Sequence, residues 1–117
     1  MHALLLAAVL AAPSFVIGET VRDTMISVCA KQEDAMRVIE GDSMAGKEEA
    51  NKRFDEFDSC NNVPVDFVVG PVLLALEIPS GKVAKVVEIH DPEGSDAKLY
   101  WLTTLEILEK KKPERAI

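Results

Sequence analysis

The residues best equipped for chemistry crowd into one stretch, His90-Asp91-Pro92-Glu93-Gly94-Ser95-Asp96. His90 is a candidate general base, Ser95 or Ser80 a candidate nucleophile, and Asp91 a carboxylate able to orient the imidazole. Together they would make a small hydrolase. The same stretch offers the oxygens of Asp91, Glu93, Ser95 and Asp96 to a Ca²⁺ ion. Neither chemistry comes with its usual frame. An EF-hand needs a longer loop with a closing glutamate, and the chain carries no nucleophile elbow, phosphate-cradling glycine loop or H-E-x-x-H zinc motif. The run therefore reads as a hairpin turn solubilised by carboxylates, with no catalytic residue, metal ligand or cofactor site assigned. His90, Asp91, Glu93 and Asp96, with Tyr100 and Trp101 close by, make up the candidate contact surface. Tyr100 and Trp101 are adjacent on an expected strand and so face opposite sides, one toward the core and one toward contact.

Cys29 and Cys60 are the only cysteines. They lie too far apart for the C-x-x-C arrangement of a thiol-redox pair, so their reading is structural. Between them the sequence predicts two helices. Gln32 to Glu40 carries an inward stripe of Ala35, Met36 and Ile39, with Glu33 and Asp34 in the first turn to suit the helix dipole. Gly41 is expected to stop it. Asp42 or Ser43 is expected to cap a second helix to about Phe57, with Ala50, Phe54 and Phe57 as its apolar stripe and a mixed-charge solvated face opposite. A tight turn would make the helices antiparallel and bring Cys29 beside Cys60. A disulfide closing that loop is worth about 3–4 kcal/mol in the chain-entropy model. Ahead of it, Val21 to Val28 reads as a short edge strand or an extended lead-in.

Behind the helices lies an apolar block from Val63 to Ile107, broken at Gly70-Pro71, Pro79-Ser80-Gly81 and Asp91-Pro92-Glu93-Gly94. Val63, Val65, Phe67 and Val69 share one face of a period-two strand, followed by Val72 to Ile78. Gly70-Pro71 reads as a bend or bulge within one long curved strand. Pro79 to Lys82 turns the chain. Val83 to Ile89 is apolar on both faces, and Ala97 to Ile107 returns as a last strand. The expected architecture is α+β: a disulfide-linked helical hairpin packed on a small antiparallel, partly closed barrel. The GK turn, the V-x-K-V-V-E-I run and the closing L-Y-W-L-T-T strand give this block a resemblance to bacterial SH3-like barrels. The resemblance implies a fold and no functional residues, because the surface aromatics that hold proline-rich peptides in that family are missing.

The chain opens on the ten apolar residues Ala3 to Ala12, long enough for a signal-peptide core and too short to span a bilayer. Gly18, with Val16 two positions before it, is the expected cleavage point; Ala12 and Ser14 are less natural ones. The expected organisation is a signal peptide at 1–18, the hairpin within 19–62, the barrel at 63–109 and a basic, fraying tail at 110–117. The product is expected to be exported, periplasmic or extracellular, without stable membrane insertion. The formal net charge is −7, which opposes nucleic-acid binding and favours basic partners. The leading functional expectation is a non-catalytic protein-binding or accessory module, with inhibition of a basic secreted enzyme such as a lysozyme as its sharper form. A small envelope hydrolase using His90, or a structural phage or envelope subunit, stands as the alternative.

Overall fold

The computed structural model describes residues 13–109. The apolar core of the expected signal peptide and the basic tail lie outside the described residues. The elements run β1 (Ser14–Val16), β2 (Thr20–Cys29), α1 (Gln32–Ala45), α2 (Lys47–Glu56), β3 (Cys60–Glu77), β4 (Val83–His90), β5 (Lys98–Thr103) and β6 (Glu106–Leu108). This is a mixed α+β protein in which β2, β3, β4 and β5 pair antiparallel in that order. β5 returns to β2 through two residue pairs, Val28 with Trp101 and Cys29 with Tyr100, which completes the ring.

The long strand β3 takes the whole run through Gly70-Pro71, and the bend appears as register shifts against β4 between Val69 and Leu74. The segment before the helices is neither an edge strand nor a lead-in. β2 is ten residues long and pairs with both β3 and β5. A bulge between Val21 and Thr24 breaks its alternation. Asp23 sits there at φ 51°, a left-handed conformation that Asp tolerates better than most side chains. Asp66 on β3 holds the bulge: its Oδ1 accepts from Asp23 N at 2.6 Å and its Oδ2 from Arg22 Nη1 at 3.3 Å.

The last strand also differs from expectation. The chain does not run straight from Ala97 to Ile107. It leaves β4 after Thr103, and β6 pairs in parallel with β1 instead. Lys85 on β4 fixes the departure by donating from Nζ to the Leu105 carbonyl at 3.0 Å. Burial pushes the Lys85 pKa down, and the Glu106 carboxylate partly restores it.

Two apolar clusters divide the faces. Inside the ring, Ile26, Val28, Phe67, Val69, Val87, Ile89 and Trp101 pack together, with Phe15, Ile17, Leu105 and Ile107 against them. On the outer face, Cys29, Cys60, Ala84 and Val86 meet Ala35, Val38, Ile39 and Ala50 of the helices. This explains the two apolar faces of β4: Val87 points in, and Val86 lies under the hairpin. The helices cover a side of the sheet.

The helix boundaries correct the expected ones. Gly41 does not stop α1, which runs to Ala45, and Asp42 and Ser43 lie inside it without capping a second helix. The break falls at Gly46, whose φ of 95° carries the chain into α2. Gly41 is buried because Arg53 of α2 crosses it; a Cβ there would meet Arg53 Cδ and Nε at 2.9 Å. Arg53 then donates to the Arg37 carbonyl and to Glu49 Oε2, both at 2.8 Å. The Arg53 hydrogen bond holds the Glu49 carboxyl below its usual pKa. Cys29 and Cys60 form the expected disulfide as directly paired residues of β2 and β3, at a Cα separation of 3.9 Å.

Candidate functional site

The expected hydrolase constellation is not assembled. His90 ends β4 with its side chain 42 % exposed, and its Nε2 lies 2.6 Å from Glu88 Oε2. Asp91 turns away into its own loop, where Oδ1 accepts from Glu93 N at 2.9 Å. The Ser95 hydroxyl, and less strongly that Glu93 amide, stabilise the Asp91 carboxylate and lower its pKa. Ser95 Oγ accepts from Ala97 N at 3.2 Å, and no hydroxyl hydrogen-bonds the His90 ring among the described residues. Ser80 lies in the turn at the other end of β4, a strand roughly 25 Å long at 3.3 Å per residue, and so cannot reach His90.

The candidate contact surface is split by the same alternation. Trp101 is 3 % exposed and belongs to the core, where its ring meets Phe67 at 5.2 Å and Phe15 at 5.3 Å edge-on. It drops out of any contact surface. Tyr100 is half-buried on the outer face, in register with Glu88, and packs against the helix-side cluster. Glu93 and Asp96 are exposed in the β4–β5 loop. Glu88 was the missed member of this face. It sits two residues before His90 on one strand, the spacing that puts side chains on the same side, and Lys98 Nζ approaches it at 3.8 Å.

A second site was not foreseen. Where β2 and β5 part, a cleft of about 580 Å³ opens between the helices and the sheet. The seam is paired only at Val28–Trp101 and Cys29–Tyr100, so Ser27 and Leu102, the next residues along each strand, have no partner across it. Both line the cleft, as does Thr103. Its apolar floor comes from Val38 and Ile39 of α1, Ala50 and Phe54 of α2, and Ala84 of β4. Its rim carries Asn51 and Asp55 from α2, Asn62 from β3, and the opposite charges of Asp42 and Lys47. Ser27 Oγ donates to Asn62 Oδ1 along one wall. α2 creates the space because it rests on α1 and touches the sheet sparingly. Only Ala50 of its ten residues is buried.

These parts can bind: amides, hydroxyls and charges of both signs ring an apolar floor beside strand backbone that has no partner across the β2–β5 seam. Fold and site together describe a small disulfide-clipped α+β protein with a cleft on its outer face. No protein-family model, curated protein or solved structure matches the chain.

Proposed function

We propose that the protein is an exported, non-catalytic binding module whose cleft receives an extended segment of a partner protein. The observation that carries this reading is the β2–β5 seam, left without pairing where it lines the cleft. Strand edges with free backbone groups accept another strand by main-chain hydrogen bonds, and flanking pockets select its side chains. Ser27 and Leu102 supply the edges, and Thr103, Phe54 and the rim amides supply the selectivity. The antiparallel ring with its two-residue seam supports an SH3-like, partly closed barrel as the finer description of the fold. The Cys29–Cys60 disulfide is compatible with a destination outside the cytosol, where such bonds persist. The net charge of −7 favours a basic partner, with inhibition of a secreted cationic enzyme such as a lysozyme as the sharper form.

Asn51 is exposed on α2 at the cleft rim, so Asn51→Arg blocks the opening without touching the core. Affinity capture from the exported fraction with the wild-type chain should recover a partner that N51R loses. The same set from both chains, or nothing above background with either, would count against the cleft. The lysozyme form fails if added protein leaves lysozyme turnover unchanged at low ionic strength.

A hydrolase reading keeps one specific support, the His90–Glu88 pair, since a carboxylate orients an imidazole base. Any turnover by the purified chain should vanish in His90→Ala; full retention removes that reading.

A further inference from the structure

A leader ending at Gly18 would carry away Ser14–Val16, and those residues are woven into the fold. β1 pairs in parallel with β6, Ser14 with Glu106, Phe15 with Ile107 and Val16 with Leu108. Ile17 N extends the pairing by donating to the Leu108 carbonyl at 2.8 Å. The turn that follows is closed by Glu19 N donating to the Val16 carbonyl at 2.9 Å and by Val16 N donating to Glu19 Oε1 at 2.7 Å. Gly18 N then donates to the Val69 carbonyl at 2.7 Å, and Val69 N donates back to Glu19 at 3.0 Å. Phe15 covers the buried Trp101 edge-on, and Ile17 joins the same cluster. A cut after Gly18 would leave β6 without its pairing strand. It would also uncover one side of the Trp101 ring, together with Leu105 and Ile107.

We propose that β1 is part of the working protein, and that the peptidase removing the leader severs the chain before Ser14. The second half rests on the export reading above; the first half does not. The sequence allows such a cut, because Ala11 has Val9 two positions before it, the same small-residue pattern that marked Val16 and Gly18. In the folded chain Gly18 instead serves the turn at a φ of 98°, a conformation that glycine reaches without cost.

The test is the intact mass of the full-length gene product recovered separately from the exported and cytosolic fractions. An exported species that has lost its leader and begins at or before Ser14 is expected; one beginning at Phe15 or later, or one still beginning at Met1, overturns the proposed cut. A product confined to the cytosol defeats the export reading, and the role of β1 is then decided by a second measurement. Trp101 is the sole tryptophan, so its emission reports directly on the Phe15 cover. Phe15→Ala in the full chain should shift that emission to the red and lower the denaturation midpoint. Unchanged emission and midpoint overturn the role of β1. If F15A does not fold, Phe15→Leu keeps part of the cover and should show the same changes in smaller measure.

Discussion

At Gly70 the β3 and β4 backbones come so close that a side chain has no room, since a Cβ would overlap the Glu88 carbonyl oxygen. Neither strand can yield without breaking its ladder. Gly70→Ala should therefore cost about 1–3 kcal/mol as an overpacked site, read as a lower urea midpoint. Gly41→Ala provides the contrast. Its new methyl would press on the end of the Arg53 side chain, which can swing aside, and it gains the roughly 0.5–1 kcal/mol by which Ala exceeds Gly in a helix. A midpoint close to wild type is expected there, and a loss as large as that of G70A would show that Arg53 is immobile. Asp91 gives a pH-dependent case. The Ser95 hydroxyl lowers its folded pKa, so the interaction adds stability above the unfolded pKa and is lost as pH falls through the folded one. Ser95→Ala should raise the Asp91 pKa in an NMR titration, and the stability gap to wild type should close on acidification. An unmoved Asp91 titration contradicts this account.

The elements were legible where a local pattern had one physical cause. The alternation of Val63, Val65, Phe67 and Val69 has only the ring interior to explain it, and those residues do face inward. The cysteines flanking two helices had one geometry that satisfied both. Gly41 misled because a glycine inside a helix and a glycine ending one look alike; the difference is the Arg53 side chain lying over it, twelve positions away. The β5–β6 break was hidden for a similar reason, since Leu105 and Ile107 continue an apolar alternation while pairing with a different strand. The cleft left no local trace at all. It depends on how far the β2–β5 pairing extends, and no single segment encodes that. The disulfide joins these elements, closing the segment that holds both helices against the outer face. Replacing both cysteines by Ala should lower stability by about 3–4 kcal/mol through the freed loop in the unfolded chain. A denaturant midpoint within error of wild type would show that helix–sheet packing alone fixes the hairpin.

On the scale of the whole molecule the excess of carboxylates acts at a distance that no single contact reaches. With a formal charge of −7, the chain draws cationic proteins toward it and repels acidic ones, an effect on encounter rate more than on the final complex. The cleft itself carries Asp42 and Asp55 against Lys47, so its own charge is nearly balanced. On the proposed reading, attraction and recognition fall to different parts of the surface, and salt should separate them. Raising ionic strength from about 0.01 M to about 0.15 M shortens the screening length from roughly 30 Å to roughly 8 Å, which removes long-range steering and spares contacts inside the cleft. For a basic partner captured through the cleft, the association rate should fall steeply over that range while the dissociation rate changes little. Asn51→Arg should act oppositely, raising the dissociation rate at every salt concentration. Stopped-flow mixing with the captured partner measures both. An association rate indifferent to salt would mean that the acidic surface serves some end other than finding a cationic target.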